Sequence, residues 1–329
     1  MSTGGSLTSS DYRAPWWLRS AHLQTMFATL FRRNPSLRLR RERIEFDDGD
    51  FLDLDWTPRA HGPVVLVLHG LEGSSNSPYA WGMLEIAHAH GWRGVVMHFR
   101  GCSGEPNRLP RSYHSGDTRD LAKVVSHLRA GTHVPVLAAV GYSMGGNVLL
   151  KWLGERGAGA PLAAAVAVSV PYTLSLTADR LTQGLSRIYQ RRLIGDLRTK
   201  LHRKFSDRAS PIDLERAHSS RNFWEFDDRV TAPLHGFEDV HDYYSRSSSR
   251  QYLGNIKIPT LMLHAEDDPF TTPEVLPSRD ELSPSIVLEV SARGGHVGFI
   301  HGSLPWRPRY WLEERIPLFL GKHLEKHLG

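Results

Sequence analysis

The chain has 329 residues, 40% of them hydrophobic and 23% charged, which suffices for one large α/β domain with an insertion or for two smaller domains. Lys and Arg number 40 against 35 Asp and Glu, a net charge of +5, yet no finger, helix-turn-helix or aromatic-interleaved basic motif accompanies the excess, so no nucleic-acid partner is expected. The single Cys102 excludes an intrachain disulfide, and no apolar run approaches the roughly 20 residues that span a bilayer.

Along the chain, Met1 to Ser20 lacks the charged start, apolar run and cleavage site of a secretory signal, so a cytoplasmic protein is expected, peripheral to a membrane at most. The Gly/Ser-rich start is expected to be disordered, and residues 1–40 are read as an extension that packs on the core. Within it, Trp16, Trp17, Met26, Phe27, Leu30 and Phe31 are expected to pack inward rather than touch an interface. Residues 41–329 are read as the main domain. Arg41 to Phe46 and Phe51 to Trp56 alternate in polarity around Asp47-Asp48-Gly49-Asp50 and predict an N-terminal hairpin.

Continuous apolar strands then recur at Val64–Leu68, Gly94–Phe99, Val136–Val140, Ala164–Val170, Thr260–His264 and Ile286–Val290. Helical spacing fills the stretches Ala80–His90, Thr118–Arg129, Met144–Glu155 and Tyr310–Leu328. This order predicts an α/β fold with a mostly parallel, doubly wound sheet, because strands covered by helices on both faces have no solvent side. The alternation breaks at about 172–255, an Arg- and Ser-rich stretch with helical patches around Leu181 to Lys204, which reads as a helical cap inserted between two strands.

Gly141-Tyr142-Ser143-Met144-Gly145 joins an apolar strand to a helix, the setting in which a serine is exposed on a strained turn. A serine hydroxyl needs a base, and the base needs an acid. In this architecture the groups sit at the carboxyl ends of strands, in the order nucleophile, acid, histidine. The acid falls in Glu266-Asp267-Asp268-Pro269, where Asp268 is preferred because Pro269 ends the strand behind it, although the sequence does not separate it from Asp267. The base is His296, flanked by Gly294 and Gly295 after a strand; His264 lies inside a strand and His301 falls in the next loop.

His69-Gly70-Leu71-Glu72-Gly73 follows the Val64–Leu68 strand, and the N–H groups of Leu71 and Met144 are the candidate oxyanion donors. Phe99 to Gly104 and Tyr113 to Asp120 read as loops packed by Arg–Asp contacts. Cys102 has no activating pair, no ligand spacing suggests a metal, and no cofactor is implied.

These residues resemble the YheT-like α/β-hydrolases, a group that includes the animal abhydrolase-domain lipases and esterases. Besides Gly141 to Gly146, the likeness rests on Pro15-Trp-Trp-Leu, His22-Leu-Gln-Thr, His69-Gly-Leu-Glu-Gly-Ser, Phe99-Arg-Gly-Cys-Ser-Gly, Tyr113-His-Ser-Gly-Asp-Thr, Phe226-Asp-Asp, Asp242-Tyr-Tyr and Asp267-Asp-Pro. The resemblance implies a serine hydrolase acting on acyl esters, with Ser143, Asp268 and His296 matching the family triad. Membrane-anchored members carry a hydrophobic N-terminal segment that is missing here, so stable membrane residence is not expected.

The expected substrate is a carboxylic ester with a short to medium acyl chain. A lipid-directed lipase or acyltransferase on the same triad, and a non-catalytic binding protein, are the alternatives; epoxide or halide chemistry would need an Asp in place of Ser143. Two basic clusters, Arg32 to Arg43 and Arg187 to Lys204, are read first as solvated helix faces and second as a contact for an anionic membrane or an acidic substrate.

Overall fold

Short apolar runs become strands buried on both faces. The computed structural model describes residues 4–32, 37–58, 61–131 and 137–325. Within them one sheet holds β1 (Ser6–Ser9), β2 (Arg40–Glu45), β3 (Phe51–Trp56), β4 (Val64–Leu68), β5 (Arg93–Met97), β6 (Leu137–Tyr142), β7 (Ala164–Val168), β8 (Thr260–Ala265) and β9 (Ile286–Ser291). Their spatial order is β1-β9-β8-β7-β6-β4-β5-β3-β2. Pairing is parallel from β1 through β5, while β3 and β2 form an antiparallel hairpin at the edge, with Glu42 opposite Leu54 and Ile44 opposite Leu52.

Helices α1 (Ala21–Phe31), α2 (Pro78–Ala89), α3 (Thr118–Gly131) and α4 (Met144–Arg156) precede the insertion. Between β7 and β8 lie α5 (Leu174–Leu181), α6 (Ser186–Phe205), α7 (Leu214–His218), α8 (Phe223–Phe226), α9 (Ala232–His235) and α10 (Val240–Ser247), with a π-helical turn at Asp227–Thr231; α11 (Leu312–Leu324) closes the chain.

The sheet divides the core into two layers because successive side chains point to opposite faces. From β4, Val64, Leu66 and Leu68 join Leu121 of α3 and Leu149 of α4 on one side. Val65 and Val67 join Leu84 of α2 and Ile316 and Leu320 of α11 on the other. A third apolar cluster, which includes Leu201, Phe223 and Tyr244, holds the inserted helices together. Chain order reverses between β4 and β6, so the loop after β4 and the turn after β6 open into one crevice at the carboxyl ends of the strands.

Two expectations for the start of the chain fail. Ser6–Ser9 is not disordered: it pairs parallel with β9, Leu7 opposite Leu288, and Gly5 N–H donates to Leu282 O. A polar, Gly/Ser-rich segment can hold an edge through backbone bonds alone. The aromatic stretch does not turn inward as a whole either, since Trp16, Met26, Leu30 and Phe31 are exposed, and the buried residue of α1 is Gln24. Arg33, Val136 and the end of the expected last helix, after Glu325, lie outside the described residues.

The loop contacts expected around Phe99 to Asp120 centre on one fully buried cation. Arg100 bonds Asp120 through Nε at 2.6 Å and Nη2 at 2.8 Å, Asp50 through Nη1 at 2.6 Å and Asp48 at 3.0 Å. Burial alone would raise the Asp50 carboxyl, but the Asn107 amide, Arg100 and two backbone N–H groups hold it below the usual range. Arg100→Met should therefore leave buried carboxylates uncompensated and cost about 3–5 kcal/mol in urea unfolding. An unchanged midpoint would show that this cluster does not hold the loops to the sheet.

Candidate active site

Ser143 sits between β6 and α4 at φ 53° and ψ −121°, a conformation rarely adopted by a residue with a side chain. The turn closes because its neighbours are glycines. A Cβ on Gly141 would lie 2.6 Å from Gly145 O, and one on Gly145 would lie 2.4 Å from His69 O. Ser143 N–H donates to Val168 O at 2.8 Å, and Asn147 N–H donates to Ser143 O. Buried Asn147 also donates its amide to Ser115 O (2.7 Å) and Ser247 O (2.8 Å) and accepts from Ser249 N–H (2.9 Å), tying the turn to the end of the insertion.

The structure brings His296 and Asp268 to this serine from 153 and 125 residues away in the chain. Nε2 of His296 is 2.9 Å from Ser143 Oγ, and Nδ1 is 2.8 Å from Asp268 Oδ2. Burial alone would raise the Asp268 carboxyl, but the charge and hydrogen bond of His296, the nearby His264 and the Phe270 N–H hold it below the usual carboxylate range. A carboxylate only accepts, so His296 Nδ1 carries the proton, and whenever the ring is neutral its Nε2 accepts from the serine hydroxyl. A ring so placed can take the serine proton. Phe270 stacks on the other side of the ring, centroids 4.0 Å apart and planes 2° from parallel.

The geometry separates the two aspartates that the sequence left together. Asp268 is the one bonded to the imidazole, whereas Asp267 accepts Gly295 N–H at 2.9 Å. Burial raises its carboxyl, with the neighbouring Asp268 adding to the effect against the Gly295 bond. His264, within β8, is pushed down to about 4 by burial and bonds Thr271, and His301 bonds Glu314.

His296 rides on a loop with little regular structure, in which Gly294, Gly295, Val297 and Phe299 all have positive φ. Side chains from elsewhere satisfy its backbone: Thr25 Oγ1 accepts His296 N–H (2.9 Å), Ser169 Oγ accepts Val297 N–H (3.0 Å) and Gln24 Oε1 accepts Ile300 N–H (2.7 Å). Sequence reasoning assigned no role to Gln24, Thr25, Ser169 or Asn147. The His22-Leu-Gln-Thr25 motif was the available signal for the first two.

On the opposite side of the serine, Gly70 lies so close that a Cβ there would meet Ser143 Cβ at 3.3 Å. Gly70 N–H donates to Tyr79 Oη and Glu72 N–H to Tyr113 Oη, whereas the N–H groups of Leu71 and Met144 have no acceptor among the described residues. Both residues line an apolar chamber of about 80 Å³ that includes Ser143 and extends under Leu174, Leu181 and Phe223. Fully buried His69 fixes the loop, Nδ1–H donating to Gly70 O (2.7 Å) and Nε2 accepting Phe99 N–H (3.1 Å); burial, aided by His98, pushes its pKa down to about 3.

Glu72, at φ 53°, accepts from Tyr113 Oη (2.5 Å) and from Lys200 Nζ of α6 (2.7 Å). An ammonium on the insertion thus braces the loop that carries Leu71. Ser143 and His296 also border a wider cleft of about 430 Å³, rimmed by Met26 and Leu30 of α1 and Tyr189 and Leu193 of α6. Deeper in the insertion, burial pushes the Asp227 carboxyl up to about 6 against hydrogen bonds from Thr231 and Tyr244. Among the described residues no three His, Cys, Asp or Glu side chains are grouped to hold a metal ion, and no helix is long and apolar enough to cross a membrane.

Residues 63–303 match the family model described as the alpha/beta hydrolase fold. The chain is 46% identical over 313 residues to "Putative esterase YheT" of Escherichia coli strain K12, covering 93% of this chain and 92% of that protein. It is 30% identical over 315 residues to "Phospholipase ABHD3" of Mus musculus, covering 92% and 77%. The solved structure of the Pyrococcus furiosus esterase Pf2001 superposes with a TM-score of 0.57 at 18% identity, over 89% of this chain and 97% of that one, a likeness of fold.

Replacing each aspartate should expose the asymmetry. Asp268→Asn is expected to lower kcat on a model ester by about 10⁴-fold, and Asp267→Asn, which keeps an acceptor for Gly295 N–H, by less than about tenfold. The reverse ranking in steady-state kinetics would reassign the acid. Lys200→Met, which removes the ammonium from Glu72 and leaves Tyr113 in place, is expected to lower kcat by about ten- to a hundredfold with little change in KM, and Lys200→Arg to restore part of it. An unaltered kcat would show that the loop needs no brace.

Proposed function

Since the chain belongs to the α/β-hydrolase family, within its YheT-like group, we propose that it is a serine esterase that cleaves carboxylic esters of short to medium acyl chain through an acyl-enzyme. The observation that carries this reading is the hydrogen-bonded row from Ser143 Oγ through His296 to Asp268, at 2.9 and 2.8 Å.

In this reading His296 Nε2 takes the proton as Ser143 Oγ attacks the ester carbonyl, and the Asp268 carboxylate stabilises the imidazolium that forms. The carbonyl oxygen gains its charge between the Leu71 and Met144 N–H groups, and one such donor is typically worth a hundredfold to a thousandfold in rate. His296 then gives its proton to the departing alcohol, leaving the acyl group on Ser143. Water enters, loses a proton to the same nitrogen, and the acid leaves with the serine restored. No cofactor is required.

The narrow apolar chamber under Leu174, Leu181 and Phe223 supports an acyl group of modest length. A lipid-directed lipase or acyltransferase is the second reading, favoured by the apolar side chains of the wider cleft, whose lining includes Met26 and Leu30 as well as Ser143. Product analysis with a lipid ester and added alcohol separates hydrolysis from transfer. The single Cys102, whose thiol burial pushes up to about 11, suits a protein of the reducing cytoplasm, where we place it.

Ser143→Ala should lower turnover of a p-nitrophenyl ester by about 10⁴-fold or more and abolish labelling by a fluorophosphonate, with the protein still folded by circular dichroism. Labelling that survives the substitution would point to another nucleophile. Absence of turnover and labelling in the unsubstituted protein would favour a non-catalytic binding role.

A further inference from the structure

An amphipathic helix on a folded domain normally turns its apolar stripe to the core. Helix α1 does the opposite. Its buried residue is the polar Gln24, whose amide donates to Leu18 O (2.8 Å) and Ile300 O (3.0 Å), while Leu23, Met26 and Leu30, at spacings of three and seven, stand exposed with Phe31 beside them. The helix is anchored by hydrogen bonds and presents its greasy side outward.

The other exposed apolar groups gather at the same place. Of the large apolar side chains exposed among the described residues, all but Leu7 and Leu318 fall in three segments: Trp16 to Phe31, Leu185 to Ile188, and Leu304 to Trp306. These segments touch. Trp16 Nε1 donates to Ser303 O (3.2 Å) and Trp17 Nε1 to Gly302 O (3.0 Å), joining the first to the third, and His22 lies 3.1 Å from the Tyr189 hydroxyl, joining α1 to α6. Trp16 and Trp306 are the most exposed members, at 69% and 74%. The wider cleft opens through this patch, since Met26 and Leu30 line it together with Ser143.

Cations frame the patch. Arg187, Arg191 and Arg192 are exposed on α6 beside Leu185 and Ile188, and Arg19 and Arg307 are exposed beside the tryptophan segments. Arg192 approaches Asp196 only at 3.9 Å, and Arg187 and Arg191 pair with no carboxylate among the described residues. We propose that this face docks on an anionic lipid surface, with the mouth of the Ser143 cleft turned toward the bilayer. Exposed tryptophans, an outward apolar helix stripe and a rim of arginines are the chemistry that such an interface selects.

A second copy of the chain suits the face less well. A two-fold interface would bring Arg187, Arg191 and Arg192 of both copies together and would shut the cleft. Docking itself is independent of ester chemistry; its consequence, access of Ser143 to esters held in a membrane, rests on the esterase reading.

The test is cosedimentation of the Ser143→Ala chain, which cannot consume the lipid by the proposed route, with vesicles of phosphatidylcholine alone or of equimolar phosphatidylcholine and phosphatidylglycerol. Binding is expected to the second and not the first, and to weaken in high salt. Arg187→Gln with Arg191→Gln should weaken it by about thirtyfold. Leu23→Ser with Phe31→Ser should abolish it, while each pair of substitutions placed in the chain with Ser143 intact leaves hydrolysis of a water-soluble ester unchanged. Absence of binding, or binding indifferent to both pairs, would overturn the proposal. So would a dimer in sedimentation velocity that Leu23→Ser with Phe31→Ser dissociates, since a second copy would then own the face. None of these outcomes touches the esterase reading, which fails separately if a soluble ester is still turned over after Ser143→Ala.

Discussion

One imidazole has to be held between a hydroxyl and a buried carboxylate, and much of the molecule is arranged around that requirement. His296 lies on a loop whose backbone repeatedly enters the left-handed region, so the loop has no helix or sheet ladder to stabilise it. Gln24 and Thr25 of α1, Ser169 after β7 and Asp267 after β8 supply the missing hydrogen bonds from three different parts of the chain. Phe270 fixes the plane of the ring from one side. The N-terminal helix α1 is thus a support of the site, and its polar inner face follows from the need to accept and donate at that loop.

The strained serine turn is stabilised in the same way. Gly141 and Gly145 remove the side chains that would collide, Val168 O takes the serine N–H, and Asn147 binds the following helix to Ser115 and to the end of the insertion. On the far wall, Lys200 of α6 and Tyr113 grip Glu72, the residue after Leu71. The insertion therefore contacts the serine turn through Asn147 and the β4 loop through Glu72. The inserted helices thus reach both walls of the cleft, α10 at the serine turn and α6 at the β4 loop, which makes the insertion a structural partner of the site.

The sequence was informative wherever a local pattern had one physical meaning. Continuous apolar runs meant strands buried on both faces, and Gly-x-Ser-x-Gly between strand and helix meant a serine on a strained turn. It was uninformative wherever the meaning lay in direction or distance. Asp267 and Asp268 differ in what their carboxylates bond, a backbone N–H for the first and the imidazole for the second, and Pro269 does not reveal this. Thr25 reaches His296 across 271 residues, with no periodicity to betray the contact. Composition misled twice, for opposite reasons: Ser6–Ser9 looks disordered but needs only its backbone to extend a sheet, and the aromatic stretch around α1 looks like core yet leaves Trp16, Met26, Leu30 and Phe31 exposed because Gln24 occupies the inward position.

The central claim is that Ser143 becomes acylated with His296 as the base. Rapid mixing with a p-nitrophenyl ester, an acid quench and mass spectrometry of the tryptic peptide spanning 130–151 measure this directly. The expected result is one acyl group per chain on Ser143, formed in a burst before steady turnover and absent when His296 is replaced by alanine. An acyl group on another residue, or turnover without any acylated peptide, would contradict it.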